Sequence, residues 1–186
     1  GPAVVCSKSE FSAADIQAFA DGRPWDCFGP GFERTMPHTR TPRIQDGRMT
    51  FLGPITDFST TGGPWGRGYM KSTVDIDPKT WFFDGHFKND PCMPGTLMFE
   101  GCLQLMAFYL SAMGYTTRRD GWRFEPVSDM PFQLSCRGQV TPTSKRLTYE
   151  LFVEEVHDGP VPTLYADLMC TVDGLKAFHA RRVALQ

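Results

Sequence analysis

The sequence predicts an α+β fold in which one long buried helix is wrapped by a curved antiparallel sheet. Two observations predict it. An almost continuously apolar stretch runs from Thr96 to Met113, and a helix that is apolar all round has to be buried. Segments with apolar residues at alternate positions precede and follow this stretch, which is the pattern of β-strands with one buried face.

Two strands are predicted before the helix, over Met49 to Phe58 and Arg67 to Ile76, with the glycine-rich connector 60–66 as their turn. After residue 130 the alternation returns and predicts an antiparallel meander. The tight turn Asp173-Gly174 leads into its last strand, Leu175 to Leu185. The earlier alternating positions are Phe132, Leu134 and Cys136, then Leu147 to Val153, then Leu164 to Val172.

The N-terminal residues 3–48 are predicted to form one short helix and a segment that wraps the surface. Ser12 and Asp15 have the spacing of a helix cap, and the helix continues to about Ala20. Prolines and glycines then interrupt residues 24–48 too often for long regular structure. Residues 1–186 are interpreted as a single domain, with Gly1-Pro2 as the scar of a cleaved expression tag.

Composition excludes several classes of protein. The chain has 186 residues, 19 basic and 21 acidic side chains and a net charge of -2, so a general nucleic-acid binder is not expected. No charged and apolar leader opens it, and Glu100 interrupts the apolar helix, so we expect a cytoplasmic protein without a membrane span. The cysteines lie too far apart for a zinc site or a disulfide framework. They are Cys6, Cys27, Cys92, Cys102, Cys136 and Cys170.

Glu100 and His86 are the candidate catalytic residues. An ionisable glutamate in a buried helix is unfavourable unless it is paired or used. His86 precedes it, in a loop flanked by aromatic residues. Burial raises the pKa of a glutamate and keeps a histidine neutral, which suits a general acid and a general base. The remaining histidines lack ligand spacing to an acid or cysteine, so no metal site is predicted.

The loop that enters the helix is a candidate for binding the substrate carbonyl. It leads from Asp90 to Gly95, so the backbone N–H groups near Gly95 and Thr96 lie at the positive end of the helix. Such donors stabilise a carbonyl oxygen that gains negative charge. A thioester carbonyl held there, between His86 and Glu100, would suit the elimination of water from a 3-hydroxyacyl chain.

These residues resemble the signature of the FabA/FabZ 3-hydroxyacyl-[acyl-carrier-protein] dehydratases, H-F-x-x-D-P-x-M-P-G followed by an acid. The matching run covers Trp81 to Phe83, His86-Phe87, Asp90-Pro91, Met93 to Gly95, Glu100 and Gln104. Further similarity to FabA lies in Gly22-Arg23, Phe28-Gly29, Gly138 to Val140, Pro142-Thr143, Lys145, Thr148-Tyr149 and Val172 to Gly174. The resemblance implies a hotdog fold and covers most of the chain.

The resemblance also assigns roles. It implies that His86 and Glu100 are catalytic, that the Gly95 amide holds the carbonyl, and that the carbonyl of Cys92 orients the histidine. Thr96 is expected to assist at the carbonyl, and Gln104 to support the site by hydrogen bonding. The family acts as a homodimer, without metal or resident cofactor, on substrates tethered to the phosphopantetheine of an acyl carrier protein.

The sequence differs from FabA enzymes at one catalytic position, and two other functions are also considered. FabA enzymes have Asp at the position of Glu100, whereas FabZ enzymes have Glu and do not isomerise the double bond, so we expect trans-2-enoyl products alone. The alternative functions are those of a hotdog thioesterase and of a non-catalytic acyl-binding domain of a large synthase. The sequence fits both a stand-alone enzyme and a domain excised from a polyketide or polyunsaturated fatty acid synthase.

Overall fold

The computed structural model describes residues 2, 4–84, 92–128 and 131–186. Within these residues, six antiparallel strands form one sheet in the order β1-β2-β4-β5-β6-β3. The strands are β1 (Ile55–Ser59), β2 (Tyr69–Asp75), β3 (Gln133–Cys136), β4 (Arg146–His157), β5 (Thr163–Val172) and β6 (Leu175–Leu185). The long strands β4 to β6 are the predicted hairpin-linked segments, and their alternate residues are buried as the periodicity predicts.

Helix α3 (Gly95–Ala112) packs against one face of this sheet and contacts β2, β4, β5 and β6. The arrangement confirms the predicted α+β class with a central helix. The second half of α3, from Gln104 onward, is buried. The first turns are not enclosed on every side, because Leu97, Phe99 and Leu103 remain partly accessible.

Two short helices, α1 (Ala13–Ala20) and α2 (Pro24–Phe28), precede the sheet. The predicted cap of α1 is confirmed, since the Asp15 backbone N–H donates to Ser12 Oγ and the Asp15 carboxylate accepts from the Ser12 backbone N–H. Helices α1 and α2 then pack on the second half of α3 through an aromatic cluster. Its rings include Phe11, Phe19, Phe28 and Phe108, with centroids 5.0 to 5.7 Å apart in the contacting pairs.

The predicted start of the first strand at Met49 is wrong, because β1 begins at Ile55. Two backbone donors upstream, those of Phe51 and Gly53, bond to side chains instead of a neighbouring strand. The Phe51 N–H donates to Gln104 Oε1 (2.8 Å) and the Gly53 N–H donates to Ser72 Oγ (3.1 Å). Pro54 has no N–H to give, so the ladder starts after it.

The predicted meander holds for β4, β5 and β6 but not for β3. Strand β3 pairs with β6, with Gln133 opposite Arg181 and Cys136 opposite Phe178. The physical reason is that β2 and β5 already occupy both edges of β4, whereas β6 still has an open edge. Alternation shows that a segment is a strand and leaves its neighbour undecided.

Among the helices that the structure describes, none is long and apolar enough to cross a membrane.

Candidate active site

Glu100 lies in the second turn of α3 and lines a cavity of about 790 Å³. Its side chain is half-buried. One turn further along, Leu103 and Gln104 line the same cavity, and Ala107 follows them after another turn. The face of α3 that borders the cavity therefore carries one carboxyl group and one amide group together with two apolar side chains.

Burial raises the pKa of Glu100 above its ordinary value of 4.5, and hydrogen bonds from Gln104 and Gln45 oppose this shift without cancelling it. Burial acts by disfavouring the charged carboxylate. A larger fraction of the carboxyl group therefore stays protonated as the pH approaches neutrality. This is the state that a general acid needs.

Gln104 is almost fully buried, with 2% of its surface exposed. Its Oε1 accepts from the Phe51 N–H at 2.8 Å, and its Nε2 donates to the Met49 carbonyl at 2.7 Å and to Gln45 Oε1 at 3.3 Å. The amide therefore fastens segment 45–51 to the turn of α3 that carries Glu100, and the predicted supporting role of Gln104 in the site remains a prediction.

The start of α3 leaves backbone N–H groups without a partner inside the helix. Pro94 is the N-cap and offers no side-chain hydrogen bond, and its carbonyl accepts from the N–H groups of Leu97 and Met98. The N–H groups of Gly95 and Thr96 precede these first bonds and stand at the positive end of the helix. Gly95 is half-buried and Thr96 is exposed.

The segment before α3 is held against the sheet. Cys92 is buried, and the N–H of the next residue, Met93, donates to the carbonyl of Val140 at 2.8 Å. Upstream of this segment, the structure describes the chain as far as Asp84. The predicted base, His86, lies outside the described residues together with the rest of segment 85–91, so its role remains a prediction.

Two segments that hydrogen-bond to each other form the wall of the cavity opposite α3. The Asp120 carboxylate accepts from the backbone N–H groups of Thr39 (3.0 Å) and Arg40 (2.8 Å), and the Gly121 N–H returns a bond to the Arg40 carbonyl (2.8 Å). These backbone bonds lower the pKa of Asp120. The carboxylate therefore stays charged and keeps residues 38–46 beside residues 121–126, where both line the cavity.

Residues 44–181 match the family model of the FabA-like domain. The chain belongs to the FabA-like domain family. Because this match covers most of the chain, it confirms the family that the motif resembled, and the hotdog fold with it. The N-terminal helices and residues up to 43 lie outside the FabA-like match, although residues 38–43 line the cavity.

Solved structures of other proteins resemble this chain. The dehydratase heterocomplex ApeI:P from Xenorhabdus doucetiae matches with a TM-score of 0.55 and 12% identity, covering 76% of this chain and 84% of that one. The PaaI protein of the E. coli phenylacetic acid degradation operon gives 0.45 and 14%, covering 71% and 82%. A hypothetical thioesterase from Streptococcus pneumoniae gives 0.43 and 14%, covering 63% and 76%. At 12% identity, the likeness to the ApeI:P heterocomplex concerns the fold alone.

Sequence reasoning on this FabA-like domain missed several residues of the cavity. Gln45 and the arginines Arg40, Arg43 and Arg123 all line it with Glu100. Three of them lie in the stretch rich in prolines and glycines, which has no periodicity to interpret. Within the described parts of the chain, no group of three or more His, Cys, Asp or Glu side chains could hold a metal ion.

Proposed function

We propose that this FabA-like domain dehydrates 3-hydroxyacyl thioesters to trans-2-enoyl thioesters, with Glu100 as the general acid and His86 as the general base. The observation that carries the proposal is the half-buried Glu100 carboxyl group, whose pKa burial raises, on the cavity face of α3. A protonated carboxyl group at such a position can donate to a leaving hydroxyl, which is a poor leaving group without a proton.

In the proposed reaction the thioester carbonyl accepts hydrogen bonds from the N–H groups of Gly95 and Thr96. These donors stabilise the negative charge that develops on the oxygen when the C2 proton is lost. His86 takes that proton, and the electron pair of the C2–H bond forms the C2=C3 double bond. The C3–O bond breaks as Glu100 protonates the oxygen, so one water molecule leaves.

Charge at the cavity supports a substrate carried on a phosphate-bearing arm, such as the phosphopantetheine of an acyl carrier protein. Arg40, Arg43 and Arg123 are exposed around the cavity and form no ion pair with another described residue. By contrast, Asp21 on the same wall faces Arg23 at 3.3 Å. Arginine suits phosphate because its guanidinium group binds two oxygens at once.

A homodimer is part of the proposal. Strand β3 ends the sheet and pairs only with β6 among the described residues. Leu134 in this strand is 51% exposed, and Phe132 beside it is 41% exposed and stacks on Phe99 of α3. An open edge next to exposed apolar side chains suits pairing with a second copy. Each site would then combine His86 of one subunit with Glu100 of the other.

We place this activity in the synthesis of fatty acids or polyketides in the cytoplasm, with the carrier's phosphopantetheine as part of the substrate and without a resident cofactor.

The test is to incubate the purified protein with 3-hydroxyacyl thioesters of several chain lengths, on a carrier protein and on coenzyme A, and to analyse products by mass spectrometry. Loss of one water with the thioester intact, and a trans-2 double bond by gas chromatography, is the expected result. Release of free thiol would instead support a thioesterase. Binding without conversion at any chain length would support a non-catalytic acyl-binding domain.

A further inference from the structure

Asp120 joins two segments of the cavity wall that are distant in sequence. Its carboxylate accepts from two successive backbone N–H groups, those of Thr39 at 3.0 Å and Arg40 at 2.8 Å, and the Gly121 N–H donates to the Arg40 carbonyl at 2.8 Å. We call these three bonds the Asp120 clamp. Successive N–H groups can form a concave anion site, and hydrogen bonds to a charged acceptor are about twice as strong as neutral ones. The clamp therefore fixes the backbone of Arg40 and does not use its guanidinium group.

The segment that follows the clamp is fixed to the sheet at its other end. The Glu125 N–H donates to the Gln186 carbonyl at 2.9 Å, and the Gln186 N–H donates to the Glu125 carbonyl at 3.0 Å. Arg123 lies between these bonds and the clamp, so its backbone is held from both sides. The clamp thus brings Arg40 from one segment and Arg123 from the other to the same cavity.

Arg43 adds a third guanidinium group to the cavity. A Cβ atom at Gly22 would lie 3.2 Å from Arg43 Nη1, so the guanidinium group lies against this glycine. Gly22 also has a φ of +82°, in the left-handed region that favours glycine. The absence of a side chain at Gly22 therefore leaves room for Arg43 at the wall of the cavity.

Two aspartates line the same cavity and would repel an anion, but both interact with other groups. Asp21 faces Arg23 at 3.3 Å and accepts from Gln17 Nε2 at 2.7 Å. Asp46 accepts from Gln17 Nε2 at 2.9 Å and from the Gly47 N–H at 2.6 Å. The three arginines of the cavity form no ion pair within the described part of the chain. The side chains that remain available to a ligand at this wall are therefore positively charged.

We infer that the clamp makes Asp120 a positioning residue, which assembles the three arginines into a site for the phosphate group of the substrate's carrier arm. The inference rests on the proposed function for the identity of the substrate. Phosphate fits because a guanidinium group binds two of its oxygens at once and is weakly hydrated. Coenzyme A and the phosphopantetheine of a carrier protein both supply it. Arg40 and Arg43 precede the matched residues 44–181, so two of the arginines lie outside the FabA-like match.

The experiment measures binding of 4′-phosphopantetheine and of pantetheine, which differ only by the phosphate group, by isothermal titration calorimetry. The wild type should bind the phosphate-bearing probe about tenfold more tightly, because charge-assisted hydrogen bonds are strong. Asp120→Asn should reduce this preference severalfold, since asparagine keeps one acceptor oxygen and turns an NH₂ group toward the second backbone N–H. Arg40→Gln should also reduce it, with the clamp intact.

Asp173→Asn is the matched control. Asp173 is an exposed aspartate that also accepts from two successive backbone N–H groups, those of Lys145 at 3.2 Å and Arg146 at 2.9 Å. It lies outside the residues that line the cavity, so the preference for phosphate should stay at the wild-type value. Equal affinity of the wild type for both probes, an unchanged preference in Asp120→Asn or Arg40→Gln, or an equal loss in Asp173→Asn would overturn the inference.

Kinetics separate positioning from general damage. With the matching 3-hydroxyacyl thioesters, Asp120→Asn should raise KM more for the phosphate-bearing substrate than for the phosphate-free one, whereas a purely structural defect would lower kcat on both alike. Loading the acyl group on coenzyme A and on a carrier protein distinguishes the two sources, since the lower wild-type KM identifies the one that the site serves. Binding does not depend on turnover, so a wild type that prefers phosphopantetheine but dehydrates neither thioester would support the inference and contradict the proposed function alone.

Discussion

The half-buried position of Glu100 makes the folded state less stable at neutral pH. The same position suits its proposed role as general acid. Burial raises its pKa in the folded state, so the folded chain resists losing a proton that the unfolded chain gives up at lower pH. The resulting loss of folding stability is absent well below pH 4.5. It grows as the pH rises through that value and is complete above the folded-state pKa of Glu100. The carboxyl group is only half-buried, so solvent moderates the effect.

Glu100→Gln should therefore be more stable than the wild type at about pH 8, with a gain in Tm on the order of 2 °C. At about pH 4 most of the gain should disappear, because the folded wild-type chains and most of the unfolded ones are then protonated at this position. Differential scanning calorimetry at the two pH values measures both numbers. A gain of equal size at both would show that ionisation of Glu100 is not its cause.

Gly101, the next residue along α3, makes room for a buried tyrosine. A Cβ atom at this position would lie 2.5 Å from the ring and hydroxyl of Tyr149. Within the described structure, that hydroxyl is buried and has no hydrogen-bond partner. The close approach of helix and sheet thus depends on the absence of a side chain at Gly101, next to the proposed acid.

Gly101→Ala should lower the free energy of unfolding by about 1–3 kcal/mol, since overpacking a core forces side chains and backbone apart. Urea denaturation gives the value. Repeating the substitution in a Tyr149→Leu background provides the control, because the smaller side chain should remove most of the penalty. An equal penalty in both backgrounds would mean that the contact with Tyr149 is not responsible.

At the scale of elements, the cap of α1 is a local feature that the sequence predicts and the structure confirms. Ser12→Ala removes the hydroxyl that accepts from the Asp15 N–H at 3.2 Å and should cost about 1 kcal/mol. Ser9→Ala, at an exposed serine outside the helix, should change stability by less than about 0.5 kcal/mol. Equal effects in a thermal melt would remove the cap as the explanation.

Elements whose pattern is local could be predicted from sequence, whereas partners distant along the chain could not. Strand β6 and helix α3 follow from periodicity, within a residue of their observed ends. The start of β1 was misplaced because the Phe51 N–H bonds to Gln104, 53 residues away. The edge partner of β3 was missed because pairing depends on which edges other strands leave open.

The same distinction applies within the site. Glu100 and Gln104 were predicted because they follow the family motif on one helix. Gln45 and Arg123 were missed, since nothing in their local sequence indicates that they meet the same cavity. Local sequence therefore identified the candidate acid, while the tertiary fold decides which other side chains line its cavity.

For the whole molecule, the open edge of β3 leads to a prediction about shared sites. Mixed His86→Ala and Glu100→Gln subunits should regain activity after exchange, if each site takes one residue from each chain. Random exchange makes about half of the dimers mixed, each with one intact site, so activity should approach about a quarter of wild type. Native mass spectrometry verifies the exchange. No recovery in exchanged samples would place both residues in one chain.

The most direct test of the account is the rate of water elimination by Glu100→Gln, set beside the wild type on one 3-hydroxyacyl thioester. The substitution keeps the shape of the side chain and removes its acidic proton. Because a positioned acid contributes on the order of a hundredfold or more, kcat should fall at least that far, while Tm at neutral pH does not fall. A Glu100→Gln protein with kcat within a few-fold of wild type would contradict the role of Glu100 as the acid.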